Sequence, residues 1–234
     1  METRPGGPLA KRPLHFFWII DCSGSMSVGG KMQSLNTAAK EAIPHMRDAA
    51  NENPNAQVYV RVLKFGNSPT WESHLIELEQ FNWRDLKADQ GTTSMGAALR
   101  ELAGQLGMPP MPDRALPPVL LMMSDGQPTD NFRSGLSQLM SQPWGSRAVR
   151  IAIAIGRDAD RAVLQEFIGN PELKPLEANN SEALTRYIRW ASTQAIKSAS
   201  SGGSSGLTVV NPTGNVPLPV PPKPATGSAS ATVW

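Results

Sequence analysis

The sequence predicts an α/β fold, a three-layer, Rossmann-like sandwich whose helices cover both faces of a doubly wound, mostly parallel sheet with one short antiparallel edge strand. Short apolar runs alternate along the chain with longer segments of helical period, the order expected for parallel strands joined by crossover helices. Several of these runs are apolar throughout, which is typical of strands buried on both faces. Polar loops follow two of the runs directly, at the edge where such sheets bind ligands.

The composition limits the classes of function. With 234 residues the chain is long enough for one well-buried domain with some length left over. The formal net charge of +2 is nearly balanced, so neither nucleic acid nor an anionic membrane is predicted as a partner. The single cysteine excludes an internal disulfide, and no apolar run approaches the roughly 20 residues of a membrane span. The N-terminal stretch lacks the apolar core of a secretory signal, so the cytoplasm is the expected location.

Changes in composition divide the chain into three parts. Residues 1–12 are rich in Pro, Gly and charge and are predicted to form a flexible arm, and residues 13–199 are predicted to form the folded domain. Residues 200–234 begin with a Gly/Ser-rich linker and continue with a Pro-rich stretch that favours extended polyproline II structure. This third part is predicted to be a disordered tail, in preference to a segment that docks on a partner's aromatic groove.

Hydrophobic periodicity and turn residues predict the elements of the folded domain. In chain order they are a strand at 14–20, a helix at 31–50, strands at 57–65 and 70–78, a helix at 95–106, a strand at 119–123, a helix at 131–142, a strand at 149–155, a helix at 159–167, a short edge strand at 174–176 and a helix at 181–199.

The elements between residues 14 and 78 are predicted from the spacing of apolar residues and from turn residues. The first strand is rich in aromatic and branched residues, and the helix after it carries apolar residues at helical spacing. Pro44 inside that helix predicts a kink. The strand at 57–65 alternates apolar and polar residues and ends in a Gly-Asn-Ser-Pro turn, so the next strand is expected to return antiparallel.

The second half shows capping residues and buried strands. Thr93 or Ser94 is expected to cap the helix that follows, and Asp158 and Asp160 the helix at 159–167. The strand at 119–123 is apolar throughout and is predicted to lie inside the sheet. The last helix has an apolar stripe that predicts its buried face. The stripe consists of Leu184, Tyr187, Ile188, Ala191 and Ala195.

The loop after the first strand carries a candidate cation site. Asp21, Ser23 and Ser25 place a carboxylate and two hydroxyls directly past the strand's carboxyl end. Alternate residues of an extended segment point the same way, so this spacing can direct three oxygens to one point. Oxygen ligands suit a hard cation such as Mg²⁺. Without the rest of the chain, a polar turn that caps the next helix explains the same residues equally well.

Two further polar loops strengthen the cation interpretation. Thr93 lies in a Gly-Thr-Thr-Ser loop, and Asp125 follows the apolar strand at 119–123. If that strand is the neighbour of the first strand, all three loops meet at the carboxyl edge of the sheet. The sequence then predicts one site built from two carboxylates and three hydroxyls.

This set of residues resembles the metal-ion-dependent adhesion site (MIDAS) of von Willebrand factor A (VWA) domains. The match comprises Asp21, Ser23, Ser25, Thr93 and Asp125, within a resemblance that covers residues 14–198. Thr93 is chosen over Thr92 because family members place this threonine six residues before a buried aliphatic residue, here Leu99.

The resemblance implies a function in binding rather than catalysis. It implies that Ser23, Ser25 and Thr93 contact the ion directly, and that Asp21 and Asp125 act mostly through bound water. The ion would be Mg²⁺, or Mn²⁺ or Ca²⁺, which accept the same ligands. One open coordination position would take an acidic side chain from a partner protein.

Two segments resemble a narrower group. The stretches 121–130 and 153–160 are similar to bacterial VWA proteins of the TerY type, which are associated with tellurium-resistance and stress-response gene clusters. That resemblance implies a protein kinase and a PP2C-like phosphatase as partners. Cys22 departs from the residue that many relatives carry, at a position that is not a ligand in the family.

Two other functions remain as alternatives. A Mg²⁺-dependent phosphotransferase of the haloacid-dehalogenase type would need a second carboxylate two residues after Asp21, where this chain has Ser23. A scaffold that binds without any metal keeps the fold and is the other alternative. The three histidines show no metal-ligand spacing, and Lys31, after two glycines, is expected to be a solvated side chain.

Overall fold

The structure is a computed structural model that describes residues 11–53, 55–89, 91–200, 218–222 and 234. Most of the predicted arm at 1–12 and most of the predicted tail at 200–234 lie outside the described residues, as does Gln90 in the second polar loop. The division of the chain into arm, domain and tail therefore stays a prediction.

Strands and helices alternate in the predicted order. The strands are β1 (Arg12–Asp21), β2 (Ala56–Phe65), β3 (Pro69–Trp71), β4 (Ile76–Glu77), β5 (Val119–Ser124), β6 (Val149–Ile155) and β7 (Leu176–Ala178). The α-helices are α1 (Lys31–Asn51), α2 (Met95–Ala103), α3 (Phe132–Met140), α4 (Arg161–Ile168) and α5 (Ser181–Ser200). A 3₁₀ segment, Gly24–Gly30, joins β1 to α1.

The strands form one mixed sheet in the order β3-β2-β1-β5-β6-β7, with β4 also paired to β2. Strand β1 lies between β2 and β5 and is parallel to both, so the condition for a common site, that the first strand and the strand at 119–123 are neighbours, is met. Strands β5, β6 and β7 continue the parallel part of the sheet. The fold is therefore the predicted α/β sandwich.

Both faces of the sheet are covered by helices. In β1, Phe16 and Trp18 pack with residues of α1 and α5, whereas Phe17 and Ile19 pack with residues of α2, α3 and α4. Successive side chains of a strand point to opposite faces, so a strand covered on both sides must be apolar throughout. The predicted apolar stripe of α5 is buried and forms part of the first of these two cores.

The antiparallel edge consists of two pieces. The predicted strand at 70–78 is divided into β3 and β4, which both pair with β2. Between them the hydroxyl of Ser73 accepts a hydrogen bond from the backbone N–H of Val62 at 3.1 Å. A side-chain oxygen there takes the place of a backbone carbonyl, and this interrupts the ladder.

Several other boundaries differ from the prediction by a few residues. Helix α2 ends at Ala103, before the predicted residue 106, because Gly104 follows and glycine is a weak helix former. Strand β7 begins at Leu176, two residues after the predicted start, where it pairs with Ile153 of β6. Helix α1 continues through Pro44, which lies on its exposed face, and the kink expected there stays a prediction.

Two residues of the predicted tail contact the domain. Leu218 and Trp234 pack against the core on the side of α1 and α5. Trp234 donates its backbone N–H to the carbonyl of Asn179 at 2.9 Å and its indole N–H to the carbonyl of Gly29 at 2.7 Å. Within the described ranges, no helix combines the length and apolarity that crossing a bilayer requires.

His15 is buried in the middle of this fold. Its side chain is 6% exposed, and its ring lies beside those of Phe17 and Tyr59. Burial lowers the pKa of His15 from 6.5 to about 4. Between these two values the unfolded chain binds a proton that the folded chain does not, so the free energy of unfolding decreases as the pH falls.

We expect His15→Phe to remove this part of the acid sensitivity. At about 1.4 kcal/mol per pKa unit, His15 accounts for a loss of about 3 kcal/mol between about pH 6.5 and about pH 4. Urea unfolding of the chain and the variant across this range measures the difference in slope. His74→Phe, at an exposed histidine, is the matched control and should keep the slope of the unmodified chain. Equal slopes in all three proteins would show that His15 is protonated in the folded state.

Candidate metal centre

Asp21 is held at the carboxyl edge of the sheet by strand register. Ile20 pairs with Met123, so the residues that follow, Asp21 and Ser124, lie at the same level on adjacent strands. The Ser124 hydroxyl donates to Asp21 Oδ2 at 2.5 Å, and the backbone N–H of Ser23 donates to Asp21 Oδ1 at 2.8 Å. Burial raises the pKa of the Asp21 carboxyl, and the hydrogen bonds from Ser124 and Ser23 act in the opposite direction.

A chain of hydrogen bonds joins the first loop to the loop after β5. The hydroxyls of Ser23 and Ser25 lie 3.1 Å apart, and the Ser25 hydroxyl donates to Asp125 Oδ1 at 2.7 Å. Asp125 is 2% exposed and Ser23 is 1% exposed, whereas Ser25 is open to solvent. The site therefore has a buried floor and an accessible rim.

Thr93 is positioned by the loop that follows Asp125. Its backbone N–H donates to the hydroxyl of Thr129 at 3.1 Å, and its carbonyl accepts from the backbone N–H of Thr129 at 2.9 Å. Thr92 points elsewhere, since its hydroxyl donates to Asn67 Oδ1 at 3.2 Å and its residue is exposed. Of the two threonines, Thr93 is the one whose hydroxyl lies beside Gly126, the residue that follows Asp125.

The oxygens converge on the space beside Gly126. A Cβ built on Gly126 would lie 3.1 Å from Thr93 Oγ1, 3.6 Å from Asp21 Oδ2 and 3.7 Å from Ser25 Oγ. Three candidate ligands, two from the end of β1 and the loop after it and one from the loop before α2, thus lie close to one point in the loop after β5. A side chain at position 126 would fill this space, and glycine leaves it open.

The arrangement fits a small divalent cation. Asp21 is completely buried, and in the part of the chain that the structure describes its carboxylate is bonded only to the neutral groups of Ser23 and Ser124. A buried carboxylate needs compensating positive charge, and hydroxyl and carboxylate oxygens are ligands that Mg²⁺ accepts. The described residues contain no group of three or more His, Cys, Asp or Glu arranged for a metal, and the candidate site combines two carboxylates with three hydroxyls.

Lys31 belongs to the site, contrary to the prediction of a solvated side chain. Its ammonium nitrogen lies 2.6 Å from Asp125 Oδ2, and the side chains are 9% and 0% exposed, respectively. The prediction was wrong because the sequence around Lys31 shows only a lysine after two glycines. Its partner lies 94 positions away in the chain.

Asp130 is a second residue that sequence reasoning missed. Ser94 is at the N-terminal cap position of α2 but makes no side-chain capping bond, so the expected cap by Thr93 or Ser94 is not formed. The carboxylate of Asp130 accepts instead from the backbone N–H groups of Gly96 at 2.8 Å and Ala97 at 2.7 Å. The loop that carries Asp125 is thereby fixed to the helix that begins next to Thr93. At α4 the expected cap is found in Asp160.

Cys22 lies between two candidate ligands without access to the site. Its side chain is buried in the core on the side of α1 and α5, and burial raises the pKa of the thiol to about 12. A thiol with such a pKa stays protonated at neutral pH, and the thiolate is the form that binds metals. The chemistry of the site therefore rests on oxygens.

One protein family matches the chain. The family model described as von Willebrand factor type A domain matches residues 17–189, which is more than half of the chain. No curated protein matches the chain.

Solved structures share the fold at low sequence identity. A von Willebrand factor type A protein from Catenulispora acidiphila is 16% identical with a TM-score of 0.61, over 80% of this chain and 43% of that chain. The pilus adhesin SpaC from Lactobacillus rhamnosus GG is 15% identical with a TM-score of 0.64, over 82% of this chain and 32% of that chain. Proximal thread matrix protein 1 from the mussel byssus, with a zinc-occupied MIDAS motif, is 17% identical with a TM-score of 0.58, over 80% of this chain and 46% of that chain. The matched regions cover less than half of each of these proteins, and the likeness shows the fold alone.

We expect Asp130→Ala to lower the free energy of unfolding by about 1–2 kcal/mol, because two backbone N–H groups at the start of α2 lose their acceptor. Equilibrium unfolding in urea measures this loss. Asp158→Ala is the control, since Asp158 is an exposed carboxylate at the carboxyl edge of the sheet. If both variants lose the same stability, Asp130 has no special role in fixing α2.

Proposed function

Because this chain belongs to the von Willebrand factor type A domain family, we propose that it is a protein-interaction module that binds its partner through a divalent cation. The proposed ligands are Asp21, Ser23, Ser25, Thr93 and Asp125. One observation carries the proposal: oxygens of Asp21, Ser25 and Thr93 surround the open space beside Gly126.

Each proposed ligand has a distinct role. The hydroxyls of Ser23, Ser25 and Thr93 would contact the cation directly, while Asp21 and Asp125 would balance its charge from the buried side. The bound cation would supply an electrophilic position for a carboxylate oxygen of the partner. Ser25 lies at the accessible rim, and the partner would approach from that side.

We propose Mg²⁺ as the ion, with Mn²⁺ and Ca²⁺ as further candidates because they accept the same oxygens. The MIDAS motif of the mussel protein is zinc-occupied, which supports a divalent ion in this family without selecting among them. Neutral hydroxyls as direct ligands leave most of the charge of the cation for the partner's carboxylate. This is the reason to propose an acidic partner residue.

Membership of the narrower, TerY-type group of VWA proteins stays a prediction. Similarity to TerY-type proteins, a role in stress response or tellurium resistance, and partnership with a kinase and a PP2C-like phosphatase rest on the segments 121–130 and 153–160 alone. The cytoplasmic location is likewise a prediction. The comparisons with known proteins bear on the domain family and the fold.

The phosphotransferase and the metal-independent scaffold, the two alternative functions, are not equally supported by the structure. The phosphotransferase needs a general acid at position 23, where the Ser23 hydroxyl is hydrogen-bonded to Ser25 and has no acidity near neutral pH. VWA domains are typically binding modules, and this favours binding over catalysis. The metal-independent scaffold has one observation in its favour, the ammonium group of Lys31 already bound to Asp125.

We expect Thr93→Val to weaken Mn²⁺ or Mg²⁺ binding by about tenfold or more, because it removes one direct ligand and keeps the volume of the side chain. Isothermal titration calorimetry of the whole chain measures the affinity. Thr92→Val is the matched control: the same exchange is made one residue away, at an exposed threonine bonded to Asn67. Equal affinities in both variants and the unmodified chain would exclude Thr93 as a ligand, and a chain that takes up no ion would exclude the metal site.

We also expect partner binding to depend on the ion. The immobilised chain should retain one or more proteins from a bacterial lysate in Mg²⁺ and release them in EDTA, because the partner's carboxylate is bound through the cation. Thr93→Val should retain less of the same proteins in Mg²⁺, and Thr92→Val should match the unmodified chain. Proteins retained equally with and without EDTA would support the metal-independent scaffold.

A further inference from the structure

We propose that Lys31 is the built-in counter-cation of the centre, which neutralises Asp125 when no metal is bound and weakens the binding of the metal. This inference rests on the proposed metal site. It adds a residue that sets the affinity of that site, and it explains how a buried carboxylate is tolerated in the metal-free protein.

The ion pair between Lys31 and Asp125 is short and shielded from water. Lys31 Nζ lies 2.6 Å from Asp125 Oδ2, with side-chain exposures of 9% and 0%. Asp125 Oδ1 faces the opposite way, towards the hydroxyl of Ser25. The carboxylate of Asp125 therefore joins the ammonium group of Lys31 to Ser25, another proposed ligand.

The position of Lys31 at the start of its helix does not stabilise the helix. Lys31 is the first residue of α1, and Gly30 before it provides no side-chain cap. The N-terminus of a helix carries partial positive charge, so a cation there is unfavourable unless another group compensates. Asp125 is that group, and the lysine is held by the centre rather than by its own helix.

The fold leaves room for the ammonium group. Gly156, after β6, has a φ of +85°, a backbone conformation that residues other than glycine rarely adopt. A Cβ at this position would lie 3.2 Å from both Cε and Nζ of Lys31 and 3.8 Å from Cβ of Trp234. Glycine at position 156 therefore gives the end of the lysine side chain a place beside Asp125.

The charges of the centre follow from these contacts. Asp21 and Asp125 are both carboxylates, and Lys31 compensates one of them. A divalent ion would enter a site that already holds a positive charge a few ångströms away. At this distance and with little water between the charges, the repulsion lowers the affinity for the ion by a large factor.

We expect Lys31→Met to bind Mn²⁺ about tenfold or more tightly than the unmodified chain, as measured by isothermal titration calorimetry. In EDTA the same variant should unfold at a lower urea concentration, because Asp125 is left buried without its partner. Lys31→Gln removes the charge and keeps a hydrogen-bond donor, so it should also bind the ion more tightly with a smaller loss of stability. Lys40→Met is the control, since Lys40 is on the same helix in an exposed pair with Asp85.

The outcomes separate this inference from the proposed function. If the unmodified chain binds Mn²⁺ and both Lys31 variants bind it equally or more weakly, the role of Lys31 is refuted and the metal site stands. If only the Lys31 variants bind the ion, the role of Lys31 is supported and the unmodified chain acts without metal. If none of the proteins binds Mn²⁺ or Mg²⁺, both proposals are refuted. A Lys40→Met variant that binds as tightly as Lys31→Met would reduce the effect to general surface charge and refute the role of Lys31.

Discussion

The parallel pairing of β1 with β5 is the constraint on which the site depends. It places Asp21 and Ser124 side by side at the end of adjacent strands, where a hydrogen bond of 2.5 Å joins them. Strands β1 and β5 each continue into a loop at this edge of the sheet. Residues 100 positions apart, such as Ser25 and Asp125, can therefore share a hydrogen bond. If the register of β1 slipped by one residue, Asp21 would turn to the other face of the sheet and the oxygens would separate.

Helices α2 and α3 fix the loop that bears Thr93 to the loop after β5. Helices α2 and α3 approach so closely that a Cβ on Gly96 would collide with the carbonyl of Asn131, and one on Gly135 with the carbonyl of Gly96. Asp130 uses the same proximity to cap α2. The loop bearing Thr93 and the loop bearing Asp125 therefore form one unit, and small residues in the two helices are part of what positions the threonine.

The sequence predicts the features that depend on near neighbours and leaves out those that depend on distant ones. The order of strands and helices follows from local periodicity, and the Asp21, Ser23 and Ser25 spacing is visible within five residues. Asp130 and Lys31 act on groups 34 and 94 positions away, and nothing near them in the chain indicates a partner. The division of the edge strand was missed for a related reason, because Ser73 bonds to Val62 only once the two segments lie side by side.

The two carboxylates of the centre are in different electrostatic situations, and this difference determines what a cation would do there. Asp125 already has the ammonium group of Lys31, whereas Asp21 is completely buried with hydrogen bonds only to the neutral groups of Ser23 and Ser124 among the described residues. Burial raises the pKa of Asp21, so a further cation nearby would stabilise the negative charge of this carboxyl. A divalent ion beside Gly126 would lie next to Asp21 Oδ2 and supply that charge. Lys31 compensates the charge of Asp125, and the charge of Asp21 would favour the binding of a divalent ion.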